Sequence, residues 1–566
     1  MGTADLLSLL WFSSYNKAVK QGSNFFFQYR FYLIIIAVGL LVFGMSFGNA
    51  FVWDDEEQVV NNSAVHSLTS IPSLFLGSTF NTGGSGGDLS GMYYKPMMSL
   101  VFTLLYTIFG ARAGWFHLVQ VSLHIINACL VFAIFKLLLP GKKEKTSYAS
   151  LFLALVFLAH PLQVESAVYI SALQDVLFLL FGLWGLYRLI AFDFKKTTDY
   201  VWLGTLLFLS LLSKETGVLF IPVALLYIYL FKKPKDTLLS VINTSFIVGV
   251  SYAILRFGIA GVYGAKEGLS PIMRVGLGTR LLTAPRIISY YLQNSIWPQN
   301  LAIAQHWVVR QATWNQFYLP LGISLALLIG LTVWLLQLKK KNHDYFLLAL
   351  FFSLWFGLGL GLHLHIVPLD MTVADRWFYF PMFGLLGLLA VAWQSLAPKK
   401  LEALILGLAT FLVIILSARS VLRVLDWKNG LALFSHDIAI SQDAFDLENN
   451  LGVELFRAGQ FEAAKPHFEA SIKLAPYWWS NYNNLGAYYN RKGDLIQAEK
   501  LYKKAIANSD YYLAYINLAG ILLRQEKFKE AQQFLEQEAL PRFPRNPELI
   551  KFWQYAQMKQ NQTQTE

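Results

Sequence analysis

The sequence predicts an all-α protein in two unlike parts, a polytopic membrane domain followed by a helical repeat. Three observations carry this. Hydrophobic residues make up 55% of the 566 residues and charged residues only 14%, against about 25% charged in a soluble globular chain; the mean hydropathy is +0.44. Apolar runs recur as far as about Ala418, and beyond it the chain is polar, with Lys, Glu, Gln and Asn throughout. In that polar part Leu451-Gly452 returns as Leu485-Gly486 and again as Leu518-Ala519.

Segments of roughly 17–25 apolar residues can span a bilayer, and Lys and Arg gather in cytoplasmic loops. Lys17, Lys20 and Arg30 place the N-terminal segment, 1–30, inside, and it is too long for the n-region of a cleavable signal. About eleven spans follow, near 31–50, 115–139, 148–160, 175–191, 200–213, 216–231, 239–258, 319–338, 345–362, 377–395 and 401–418. The run 96–109 is short, ends at Gly110-Ala111-Arg112, and reads as an interfacial or re-entrant helix on the outer face. With this alternation Lys142, Lys143 and Lys145, then Arg188, Lys195 and Lys196, Lys232, Lys233 and Lys235, Lys339 to Lys341, and Lys399-Lys400 all fall on one side. The acidic stretch after the first span and the polar C-terminal part fall on the other. The membrane domain is thus expected over 31–420.

The repeat follows over 440–558. Gly459 recurs as Gly493, and Ala464 as Ala498 and Ala531, in steps of 34 and 33 residues, the tetratricopeptide period of about 34. Small residues let paired helices approach, the glycines supply turns, and Pro476 and Pro547 close repeats. Three such units make a stack whose concave face suits an extended protein segment. Residues 559–566 read as a frayed tail. The net charge of +11 sits in topology tracts, and no basic face with interleaved aromatics is readable, which argues against nucleic acid. Cys129 is the one cysteine and lies in an apolar run, so no disulfide within the chain and no cysteine-based metal site can form.

Trp53-Asp54-Asp55-Glu56-Glu57 directly follows the first span. Charge at the mouth of a hydrocarbon-length helix is costly unless it faces water, a cavity or a ligand. The drawn topology gathers further ionisable residues on the same side: Lys95, His117, His160, Glu165, Asp175, Lys214, Glu215, Arg286, His306, His363, His365, Asp370, Asp375 and Arg376. A carboxylate pair with nearby cations suits base-assisted attack on a phosphate-bearing substrate: the carboxylate takes the acceptor proton, and Lys and Arg neutralise the leaving phosphate. Plainer readings stand beside this one. Glu56 and Glu57 suit a solvated helix start, Lys214-Glu215 a structural ion pair, Asp375-Arg376 a capped helix start, and His306, His363 and His365 interfacial packing in place of a metal site.

At this point the chain resembles the transmembrane and tetratricopeptide repeat O-mannosyltransferases and their prokaryotic relatives, within the GT-C superfamily. The carriers are Trp53-Asp54-Asp55 with Asn61, Tyr94-Lys95-Pro96, Phe109-Gly110, Phe116-His117-Leu118, His160-Pro161-Leu162 with Val164-Glu165, and Gln174-Asp175. Ser213-Lys214-Glu215, Asn294 through Trp297-Pro298, Ala374-Asp375-Arg376 with Phe380-Pro381, and Trp427 continue the series. The resemblance implies transfer of a hexose, typically mannose, from a polyprenyl- or dolichyl-phosphate donor to Ser or Thr hydroxyls of a protein on the outer or lumenal side. It implies no metal or other cofactor. One of Asp54 and Asp55 would be the general base, with the first the better match. Arg376, Lys95, Lys214 and Arg286, in that order, are the candidates for the donor phosphate, and Glu165, Asp175, His160, Glu215 and Asp375 complete the candidate site. Relatives often carry Arg at Lys95, which loses the bidentate fork, and animal members carry many more repeats than three, which leaves the acceptor open. Two rivals remain: a GT-C transferase acting on a lipid or glycan, and a non-catalytic membrane-anchored repeat scaffold. Phe-, Lys- and Asn-rich usage and a short chain point to a prokaryotic plasma membrane over the endoplasmic reticulum.

Overall fold

The computed structural model describes residues 29–79, 93–231, 233–263, 268, 270–396 and 402–565. Lys17, Lys20, Lys232, Lys399 and Lys400 of the topology reading lie outside them. Every regular element among the described residues is helical, and extended chain pairs only at an isolated antiparallel bridge between Gln305 and Val373.

The chain is a multi-pass membrane protein by its apolar helices. Among the described residues eight are long and apolar enough to cross a membrane: Tyr29–Gly48, Ala113–Leu138, Ile170–Ala191, Lys235–Ile259, Trp314–Lys341, His343–Leu362, Asp375–Ser395 and Gly407–Asp426. A ninth is broken, Glu144–Ala159 followed by Pro161–Val168 at 55°. The break has a local cause: Pro161 has no N–H to continue the helical ladder. The bend is pinned because Leu162 N–H donates to His160 Nδ1 at 3.2 Å and His160 Nε2 meets the Ser295 carbonyl at 3.1 Å.

Sequence reading expects about eleven spans, and the difference falls on two helices. Thr197–Ser213 has 17 residues, about 25 Å at 1.5 Å per residue, short of a hydrocarbon core of about 30 Å. Its neighbour Glu215–Leu230 is also short, as is Pro96–Phe109. The first two pack against the long helices as a pair joined at Lys214. Aromatic packing is dense where the helices converge: Trp355 is fully buried, stacks on Phe380 at 5.0 Å and donates its indole N–H to the Phe380 carbonyl.

Beyond a connecting helix, Gly430–Ile440, three antiparallel helix pairs form the repeats: Phe445–Arg457 with Phe461–Leu474, Trp479–Lys492 with Leu495–Asn508, and Tyr512–Arg524 with a partner beginning at Phe528. A β-carbon on Gly486 would sit 2.7 Å from the Tyr502 ring, which is why the recurring small residue is needed. The turn positions Gly459 and Gly493 have φ of 78° and 82°, yet the third repeat places Glu526 there at 60°, a conformation L-residues disfavour. An asparagine chain ties the repeats together. Asn517 donates to Asn483 at 2.8 Å, Asn483 to Asn484 at 3.3 Å, and Asn484 to Asn449 at 2.9 Å. The last helix, Pro547–Thr565, runs on through 559–565, where the sequence reading expects a frayed tail.

Candidate active site

The first long helix ends at Gly48, and the chain turns sharply at Trp53, whose φ is 52°. Such a value strains a bulky residue. The ring is held by Tyr169, stacked at 6.4 Å, and by Phe434, edge-on at 6.2 Å. This turn gives the two adjacent aspartates different surroundings.

Asp55 is fully buried, and both of its carboxylate oxygens are occupied by backbone: Oδ1 accepts from Ser171 N–H at 2.7 Å and Oδ2 from Val52 N–H at 3.0 Å. Burial pushes its carboxyl up to about 7, against those two N–H groups. Asp54 is only partly buried. Burial pushes it up to about 6, while the charges of Arg376 and then Lys95, and a hydrogen bond from Tyr169, favour its ionised form. Asp54 therefore lies within electrostatic reach of the cations, and Asp55 staples the turn to the segment at Ser171.

The cations come from three separate elements. Arg376, in the first turn after Ala374, is clamped by Glu165: its backbone N–H donates to Glu165 Oε2 at 2.9 Å and its guanidinium Nη1 pairs with Oε1. Lys214 pairs with Asp175 at 2.5 Å. Lys95, just before Pro96, lies over the Tyr93 ring at 4.4 Å and is 9% exposed. No carboxylate among the described residues lies within ion-pair distance of it, and burial lowers its affinity for its proton. Carboxylates of Glu215, Asp175 and Asp370 act on Lys95 at longer range. Glu215 is itself paired with Arg256 at 2.8 Å, and Asp370 accepts from the Tyr93 hydroxyl at 2.6 Å. His363 stacks on Trp377 at 5.0 Å and is acted on by Lys214 and Arg376.

The structure thus brings together Asp54, Asp55, Lys95, Lys214, Arg376, Glu165, Asp175 and Glu215. Asp375 adjoins them, bound by the Tyr290 hydroxyl at 2.7 Å. His160 serves the bend described above. Arg286 stands apart: its guanidinium lies 4.3 Å over the Trp307 ring, in a separate cavity of about 670 Å³ that Tyr290 and Gln305 also line. His306 is paired with Asp446 of the first repeat, and His365 with the Thr372 carbonyl. Sequence reasoning missed Tyr93, Tyr169 and Arg256. Each is an ordinary residue in an aromatic or apolar run, and only the fold sets it against a site carboxylate.

Tetratricopeptide repeat families match residues 449–477 and 482–507. Over 563 residues the chain is 23% identical to protein O-mannosyl-transferase TMTC3 of Mus musculus, covering 89% of this chain and 59% of that protein. Over 453 residues it is 24% identical to protein O-mannosyl-transferase F38B6.6 of Caenorhabditis elegans, covering 78% and 62%. The chain is a homologue of these proteins. A shorter match, 30% identical over 164 residues, joins it to protein O-mannosyl-transferase TMTC4 of Mus musculus. The chain spans about three fifths of the length of the first two of these curated relatives. The homology extends through both the membrane helices and the repeats, as the resemblance read from the sequence implies.

Proposed function

We propose that this protein is a membrane glycosyltransferase that moves a hexose, mannose by the names of its relatives, from a polyprenyl-phosphate donor to Ser or Thr hydroxyls of a protein on the non-cytoplasmic side. The single observation behind this reading is Asp54: a partly buried carboxylate, pushed up to about 6, on which the charges of Arg376 and Lys95 act.

In the reaction, the acceptor hydroxyl gives its proton to Asp54 as its oxygen forms the new bond to the sugar's anomeric carbon. The bond from that carbon to the donor phosphate breaks, and the lipid phosphate leaves with the electron pair. Lys95, which has no carboxylate partner among the described residues, supplies charge to that phosphate, and Arg376, oriented by Glu165, offers its remaining guanidinium edge. Asp55 holds the turn that aims Asp54.

The test is transfer of radiolabelled mannose from polyprenyl-phosphate mannose to a Ser/Thr-rich peptide by the purified chain. Transfer that disappears in Asp54→Asn while the protein stays folded supports the reading. Equal transfer by wild type, Asp54→Asn and the Asp54/Asp55 double variant sinks it, and transfer to a lipid or glycan alone replaces the acceptor.

A further inference from the structure

The repeat domain touches both segments that carry the candidate site. On one side Arg457, at the end of the first repeat helix, forms a two-pronged pair with Glu56, at 2.8 Å and 2.6 Å. The Tyr511 hydroxyl, at the start of the third repeat, donates to Glu57 Oε2 at 3.2 Å, and its ring stacks on Trp479 at 4.4 Å. Glu56 and Glu57 are the two residues that follow Asp54-Asp55.

On the other side Asp446 accepts from His306 at 2.9 Å in a buried contact, and the His306 ring packs on Phe445 at 4.7 Å. The chain at Gln305 pairs with Val373, Thr372 N–H donates to the Gln305 carbonyl at 2.9 Å, and the Thr372 hydroxyl donates to the Trp307 carbonyl at 2.8 Å. Asp375-Arg376 comes two residues later. Between these two attachments, the repeat domain spans from the base to the arginine.

We infer that the repeat domain is a brace that fixes the Asp54 turn relative to Arg376, with Arg457, Tyr511 and Asp446 as positioning residues; this rests on the transferase reading for its effect on rate. Glu56 and Glu57 then have a use that a solvated helix start does not provide. The inference also means that removing the repeats disturbs the site itself as well as any grip on an acceptor. The Trp53 turn is strained, and strained backbone persists only where its surroundings over-determine it; the brace is part of those surroundings.

The test uses the full-length chain, with Arg457→Glu, Glu56→Arg and the two together. Hydrogen exchange over 53–61 and turnover on a peptide too short to reach the repeats are both measured. Each single variant is expected to speed exchange and lower kcat by about fivefold, the scale of one well-formed exposed pair, with donor KM unchanged; the charge swap restores both. Asp446→Asn should loosen 371–377 in the same measurement, and Tyr511→Phe gives a milder break of the first attachment. Unchanged exchange in the single variants, unchanged kcat despite faster exchange, or a swap that restores neither overturns the brace. If exchange responds as expected while the wild type shows no transfer, the transferase reading fails and the mechanical brace stands.

Discussion

Asp54 and Asp55 are neighbours in sequence with opposite surroundings, and substitution by asparagine separates them. Asp54→Asn removes the proton acceptor and should cut transfer by about 10²–10⁴-fold. Its folded value, about 6, lies above the usual carboxylate value of about 3.9. Ionisation of Asp54 therefore opposes folding: the cost is full above about pH 6, shrinks as pH falls below the folded value, and is gone only below the unfolded value of about 3.9. At pH 7.5 the Asn variant should melt at the wild-type temperature or above it, read by thermal unfolding in detergent. Asp55→Asn instead turns an amide N–H₂ toward a backbone N–H, and leaving one buried donor unsatisfied costs about 1–3 kcal/mol; its melting temperature should fall. A chain in which Asp55→Asn melts normally and Asp54→Asn does not would exchange the two roles. The existence of the pair was legible, because charge directly after an apolar run is conspicuous. Its division of labour was not, because the Ser171 N–H that claims Asp55 comes from 116 residues away.

The same residues set a pH profile. With Asp54 as base, the rate should rise about tenfold per unit up to about pH 6 and then level. Lys95 is buried and gives up its proton more readily than an ordinary lysine, so its positive charge is present at low pH and lost on the alkaline side. Donor KM should climb there, and Lys95→Gln should show the raised KM at every pH. A donor KM indifferent to both pH and Lys95→Gln would remove this lysine from the phosphate site.

Among the helices, the broken one supplies the carboxylate that holds Arg376. The bend at His160-Pro161 turns Glu165 inward, where it meets Arg376 on another helix. Glu165→Gln keeps an acceptor for the Arg376 N–H but leaves a buried guanidinium without its countercharge, at a cost of about 3–5 kcal/mol. Arg376→Gln alone leaves the carboxylate stranded, and the double variant should lose clearly less than the sum of the two. Additive losses in denaturant unfolding would show that the pair is not coupled. Sequence reading located the Pro161 boundary and the Glu165 and Arg376 candidates, since proline and isolated charges in apolar runs are visible locally. Two of its spans, Thr197–Ser213 and Glu215–Leu230, form shorter helices than the rest, because hydropathy marks an apolar run without measuring the length of its helix. The pairing of Lys214 with Asp175 and of Glu215 with Arg256 was hidden for the same reason as the role of Ser171: each joins separate helices.

Across the whole molecule, the site residues and the basic tracts occupy opposite helix ends. Asp54 follows the end of one helix, Asp175 and Arg376 lie in the first turns of two others, and Lys214 and His363 follow the ends of two more. Lys136, Arg188, Lys235 and Lys339 to Lys341 lie at the far ends of their helices. Lys and Arg mark the cytoplasmic side, so the site should face away from the cytoplasm. The repeats share its side whatever the orientation, because Arg457 bonds Glu56. Cysteine labelling tests both statements in a Cys129→Ala background, since Cys129 is the one native thiol. Ser63→Cys and Asn508→Cys, both at exposed positions, should react with a membrane-impermeant maleimide on intact cells. Lys340→Cys should react only after permeabilisation. The reverse pattern would invert the orientation and keep the fold. Labelling of Ser63→Cys and Asn508→Cys from opposite sides would break the contact between the repeats and the Asp54 turn, and with it the brace.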